Sequence, residues 1–221
     1  MIDERPLSIH KLFGPYIMLS TISNELYNIL LKNAKKIRSS EKLRTKNDYR
    51  NKLAGNLKEE YSYTDIFSKE EDIKVNEELT WLASVFTKHS DLAISKDLSL
   101  EPNKIKIFGP MWVNFMKSSE WSPSHMHSGD ISCVIYLQVP KEIANENFTN
   151  ESSKYSNVPS AGKIEFTYGD DIGFTNSAVN FQPKEKQILL FPAKLKHMVY
   201  PFQVKEERIS VSVNFILEKG H

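Results

Sequence analysis

The chain has 221 residues, 40% of them hydrophobic and 26% charged, and a formal net charge of +1. With lysines and acids interleaved, that balance gives no electrostatic case for nucleic acid, and no stretch approaches the roughly 18 apolar residues of a membrane span. The single cysteine, Cys133, excludes an intramolecular disulfide. Together with an N-terminus (MIDERPLSIHKLF) that lacks the apolar core of a secretory signal, it leads us to expect a cytoplasmic protein.

The length fits one domain over 1–221, with 1–103 as a helical support region. Residues 7–21 (LSIHKLFGPYIMLST) read as an opening strand pair. Leu26, Ile29, Leu30, Ala34 and Ile37 then recur at helical spacing, which predicts a helix over about 23–38. Residues 39–67 are polar without a sustained period and read as a long connection, one expected to help shape a substrate site. A second helix opens at Ser68-Lys69-Glu70-Glu71, a capping box, and continues as an apolar stripe through Val75, Leu79, Leu82 and Phe86.

From residue 104 the texture becomes that of strands. KIKIFGPMWVNFM, ISCVIYLQV, KIEFTY, SAVNFQ, QILLF and RISVSVNFIL are short, β-branched or aromatic, and punctuated by turn residues. Helices first and then many strands, without alternating βα units, predict an α+β chain. Its core is an antiparallel sandwich or barrel over 104–217, with the helices packed on one sheet. Residues 141–161 (KEIANENFTNESSKYSNVPSA) look structureless, and loops of that length usually bind or cover something, so Phe148 and Tyr155 are candidate substrate contacts.

Two strands divide into a greasy and a polar face. In R-I-S-V-S-V-N-F, Arg208, Ser210, Ser212 and Asn214 alternate with Ile209, Val211, Val213 and Phe215. In ISCVIYLQV, Tyr136 falls with Ser132, Val134 and Gln138, opposite Ile131, Cys133, Ile135 and Leu137. The polar faces either meet water or line a pocket, and two apolar helix stripes in need of cover favour the pocket.

His125 and His127, one residue apart in an extended segment, point the same way and could reach one metal ion. His197, after the apolar strand that ends in Phe191-Pro192, is the candidate third ligand. Arg208 is a fixed bidentate donor suited to a carboxylate. The bland readings stand beside these. A lone H-x-H is usually a pair of surface or hydrogen-bonded histidines, and Arg208 beside Glu206 and Glu207 could be half of a weak exposed ion pair. Cys133 lies mid-strand among greasy neighbours and reads as inert core, which argues against a cysteine hydrolase. His10, His89 and His221 read as structural or surface residues.

The run H-x-H, ISCVIYL, Gly162-x-Ile-x-Phe166, ILLFPAKLKH and ERISVSVNF, preceded by Trp112-Val113-Asn114, resembles iron(II)- and 2-oxoglutarate-dependent oxygenases. The branch is an uncharacterised bacterial and phage one related to prolyl hydroxylases. The resemblance covers 104–217 and implies a double-stranded β-helix (jelly-roll or cupin-like). It implies Fe(II), 2-oxoglutarate and O₂ as cofactors, with His125, His127 and His197 on the metal. Arg208, Ser210, Tyr136 and Asn114 would then serve the co-substrate. Prolyl hydroxylases carry an aspartate where this chain has His127, so Asp130 stays open as the alternative second ligand. The implied reaction is hydroxylation of a small-molecule or peptide substrate, such as a peptidyl or free amino acid. The alternative is an inactive metal-binding or small-ligand-binding module. Homo-oligomers stay open, since barrel edges can pair.

Overall fold

The computed structural model describes residues 7–11, 14–89, 104–151, 153–170, 173 and 176–218. His221 and the side chain of His10 lie outside them, and His89 is exposed at a helix end. No helix among the described residues is long and apolar enough to cross a membrane.

The chain opens with the expected hairpin, β1 (Leu7–Lys11) against β2 (Tyr16–Thr21). Helix α1 (Asn24–Ser39) starts where the Ser23 hydroxyl accepts the Leu26 N–H at 3.0 Å. Helix α3 (Lys69–His89) opens on the reciprocal capping box: Glu71 N–H donates to Ser68 Oγ, and Ser68 N–H donates to Glu71 Oε2. The expected connection between them is instead partly ordered. It holds α2 (Glu41–Asn47), a 3-10 turn (Arg50–Lys52) and β3 (Glu60–Ser62). These pieces are too short to show a period, and β3 exists because it pairs with a strand far along the chain.

The remaining strands are β4 (Ile105–Ile107), β5 (Trp112–Met116), β6 (Ser122–His125), β7 (Ile131–Gln138), β8 (Ile164–Thr167), β9 (Ala178–Phe181), β10 (Gln187–Pro192), β11 (Lys196–Val199) and β12 (Arg208–Leu217). They form two antiparallel sheets. The larger runs β1-β2-β10-β7-β12-β5-β3, with β4 also on β12, and the smaller runs β6-β11-β8-β9. Helix α4 (Lys141–Thr149) corrects the structureless reading of 141–161. It is held mainly by polar ties rather than an apolar stripe. Glu146 accepts the N–H groups of Gln203 and Val204, and Asn147 bonds both the N–H and the carbonyl of Ala161.

The alternation of β7 and β12 sorts as their patterns predict. Ile131, Cys133, Ile135, Leu137, Ile209, Val211, Val213 and Phe215 pack in one core with the buried stripes of α1 and α3. Val134 and Tyr136 face the other way, into a second core with Ile164, Phe166 and Phe191. The helices thus cover one face of the large sheet and leave its polar face to look at the small sheet. Cys133 is buried, and burial pushes its thiol well up, so it is inert packing.

Candidate active site

A cavity of about 200 Å³ opens between the sheets, lined by His125, His127, His197, Tyr136, Asn114, Arg208 and Ser210 together. The seven residues singled out by sequence therefore meet in one place. Asp130 does not join them: its Oδ2 accepts the Leu217 N–H at 2.9 Å. The turn before it explains why. Gly129 sits at φ +94°, and a Cβ there would lie 2.7 Å from the Phe215 carbonyl oxygen. That close approach tucks the turn against β12 and aims Asp130 away from the histidines.

His197 was expected beyond a strand end, but it lies inside β11, 4% exposed and directly opposite His125 on β6. Both strands escaped the sequence reading because Ser-Pro-Ser-His and Lys-His-Met-Val hold little β-branched or aromatic signal. The candidate ligand atoms of the three histidines all lie within 4.8 Å of one another. The Nδ1 of His125 lies 2.6 Å from the Pro123 carbonyl, and that of His197 lies 2.9 Å from the Leu195 carbonyl. A carbonyl only accepts, so both Nδ1 atoms carry the proton and both Nε2 lone pairs face the cavity. His127 Nε2 lies 3.1 Å from His197 Nε2. Two adjacent ligands held about 2.1 Å from one ion at a right angle would be about 3.0 Å apart, so the spacing fits a shared cation.

The imidazoles are also in the right charge state. Trp112 lies against His127, while Phe166 and Phe191 lie against His197, and these rings exclude water. Burial pushes His197 down to about 3 and His127 to about 4, with the neighbouring His125 adding to both, and burial lowers His125 too. All three are neutral at neutral pH, as metal ligands must be.

Arg208 is 3% exposed, and no carboxylate among the described residues pairs with it. Glu207, its chain neighbour, is instead bound by Arg38 at 2.6 Å, so the exposed-pair reading fails. Arg208 Nη1 donates to the Gly162 carbonyl at 2.8 Å, Nη2 lies 2.7 Å from Met116 Sδ, and Nε has no partner. Burial pulls its pKa down from the ordinary value, yet a guanidinium stays protonated. A buried cation with an unused donor is the cradle an anionic ligand would fill. The hydroxyl of Tyr136, whose ring lies 5.8 Å from that guanidinium, is pushed up to about 12 by burial and so remains a donor.

Register aligns further groups. Tyr136 pairs with Ser210, Ser210 with Asn114, and Asn114 with Glu60, a polar row across β7, β12, β5 and β3. Glu60 and the stretch Lys52–Gly55 also line the cavity, so the polar segment 39–67 does help shape the site. The sequence singles out no residue within it, because a polar segment without periodicity gives no sign of a late-joining strand. Residues 141–161, by contrast, do not line it, and Phe148 and Tyr155 are 78% and 79% exposed.

Gly162 supports Arg208 from below. It sits at φ +67°, and a Cβ would fall 2.3 Å from Ile143 Cγ2. Gly162→Ala should therefore lower stability by about 2–4 kcal/mol, read as the urea midpoint, by combining left-handed strain with overpacking. An unchanged midpoint would mean that α4 gives way freely.

Residues 110–214 match the family model described as "Putative 2OG-Fe(II) oxygenase". No curated protein matches the sequence. Among solved structures the fold is similar to SnoN, a non-heme alpha ketoglutarate dependent epimerase from nogalamycin biosynthesis. The two share 12% identity over 93% of this chain and 77% of that one, with a TM-score of 0.56. AviO1 from Streptomyces viridochromogenes Tue57 matches at 12% identity over 96% and 90% of the two chains, with a TM-score of 0.53. A prolyl 4-hydroxylase from Phytophthora capsici matches at 13% over 92% and 59%, also at 0.53. The paired sheets are the double-stranded β-helix of these proteins, and the matched segment contains all three histidines of the cavity. The matched segment, a little under half of the chain, thus resembles the iron(II)- and 2-oxoglutarate-dependent oxygenases, a family whose cofactors are Fe(II), 2-oxoglutarate and O₂.

Proposed function

We propose that the whole chain acts as one oxygenase domain that hydroxylates a peptidyl or free amino acid, with a three-histidine metal site. The observation that carries the ligand set is the convergence of His125, His127 and His197 while Asp130 is occupied with the Leu217 N–H. In this reading the three Nε2 atoms hold Fe(II), which supplies the redox chemistry coupling O₂ and 2-oxoglutarate decarboxylation to substrate oxidation. Three neutral ligands leave the full dipositive charge of the metal in the cavity, which favours an anionic co-substrate beside it. Arg208 takes the distal carboxylate as a fork, and the hydroxyls of Tyr136 and Ser210 donate to its remaining lone pairs. Asn114, whose buried Oδ1 has no partner, stands next in the polar row and orients the co-substrate from the β5 side. Trp112, Phe166 and Phe191 keep water off the ligands, which strengthens each of these contacts.

An anaerobic Fe(II) titration with and without 2-oxoglutarate, followed by visible absorption and by succinate release on admitting air, tests the assignment. His127→Ala should weaken Fe(II) binding by about 100-fold or more and remove the absorption that depends on both components, whereas Asp130→Ala should keep both. The reverse pattern would make Asp130 the second ligand.

A further inference from the structure

Glu60 stands at the far end of the polar row from Tyr136. It lies two strands away from Ser210, about 10 Å at the usual strand spacing. Its side chain is 3% exposed and lines the cavity, yet its Oε2 has no hydrogen-bond partner. The other buried acids among the described residues are satisfied. Glu120 accepts the N–H groups of Lys58 and Lys117, and Glu146 those of Gln203 and Val204. Glu60 in either protonation state lacks what it needs: a carboxylate wants donors, and a carboxylic acid wants an acceptor for its proton.

The backbone is shaped around this carboxyl. A Cβ at Gly55 would lie 2.6 Å from Glu60 Oε1, so the chain passes hard against it. Leu53, Ala54, Leu57, Trp112 and Met116 line the same cavity, together with Lys52, which is itself exposed. At the other end the guanidinium of Arg208 suits a dicarboxylate, so the two ends of the cavity carry opposite charge preferences. A cation compensates a buried unpartnered carboxylate more fully than a neutral donor does, since the ion pair forms where water is excluded.

We propose that Glu60 is the specificity residue for the prime substrate, which carries a cationic nitrogen, an ammonium or guanidinium, on an aliphatic stem. This rests on the oxygenase reading of the same cavity: Arg208 holds the acidic co-substrate, Glu60 the basic substrate, and the stem lies along Leu53, Leu57 and Met116.

The test is calorimetric titration of the chain, loaded with Mn(II) and 2-oxoglutarate under argon. The probes are Nα-acetyl-lysine methylamide, Nα-acetyl-arginine methylamide and, as neutral isostere, Nα-acetyl-norleucine methylamide. At least one basic probe should bind ten times or more tighter than norleucine. Glu60→Gln should erase that preference while 2-oxoglutarate affinity stays within about twofold. Gly55→Ala, which must displace the carboxyl without altering its charge, should weaken the same preference and serves as the second variant. Wild type that does not discriminate, or Glu60→Gln that discriminates as wild type does, overturns the proposal. If 2-oxoglutarate fails to bind while the basic probe still depends on Glu60, the oxygenase assignment of Arg208 fails and the cation site stands.

Discussion

Replacing Arg208 with methionine should abolish 2-oxoglutarate binding and leave the protein as stable as before or more so. The two effects have one cause. In the structure the guanidinium is almost wholly buried and has no carboxylate among the described residues. Its protein contacts are the Gly162 carbonyl and Met116 Sδ. Burying a cation without its counter-ion costs several kcal/mol, and filling the space with a linear apolar chain of similar reach relieves that cost. Against it stands the lost bond to Gly162, worth about 1 kcal/mol. The net expectation is a gain of about 1–3 kcal/mol, which for a chain of this size is a rise of about 2–12 °C in Tm. On the binding side, removing the charged partner of a desolvated carboxylate costs about 2–5 kcal/mol, about 30- to 5,000-fold in Kd. Thermal unfolding with Mn(II), with and without 2-oxoglutarate, reads both. Wild type should gain stability from the co-substrate by mass action, and Arg208→Met should gain none. A variant that unfolds, or that keeps the co-substrate shift, would make Arg208 a structural residue.

The same residue shows what a sequence can carry. Parity and the helix stripes together point Arg208, Ser210, Ser212 and Tyr136 to a pocket, because strand side chains alternate strictly and the greasy partners have helices to cover them. The α1 and α3 stripes and the Ser68 capping box are local signals and were legible for that reason. Harder to see were features made by distant partners. Helix α4 rests on Glu146 and Asn147 reaching backbone groups at 203, 204 and 161, contacts with no periodicity to betray them. Strands β6 and β11 pair with His125 opposite His197, although their residues give little local sign of extended chain. The proposed preference for His127 over Asp130 rests on Gly129, whose close approach to the Phe215 carbonyl accompanies the turn of Asp130 toward the Leu217 N–H. Spacing points to His127, and the packed turn, which no local pattern announces, adds to that reading. Glu60 gave no sequence signal at all, since its burial comes from joining β5 as the outermost strand.

That burial has a measurable consequence in the pH dependence of stability. Burial first, and then the nearby carboxylate of Glu120, pushes Glu60 up from 4.5 to about 7; Asp48 acts the same way, and Arg50 opposes them. A folded-state pKa above the unfolded one means that, between 4.5 and about 7, the native protein holds a proton the unfolded chain has lost. Stability contributed through Glu60 is therefore intact below 4.5, falls as pH rises through this window, and is constant above it. A shift of this size corresponds to about 3 kcal/mol, or about 6–12 °C in Tm for a chain of this length. Glu60→Gln cannot titrate, so the Tm difference between variant and wild type isolates this group from every other ionisation. It should widen in the variant's favour by that amount from pH 4.5 to pH 8. Parallel Tm profiles would mean that the carboxyl has a partner in solution and is not held in reserve. If the profiles diverge, the addition of an amine probe at pH 8 should close the gap, because a bound ammonium supplies the charge compensation that the empty cavity withholds. A residue that weakens the free protein and is relieved by a cation is one kept for binding rather than for folding.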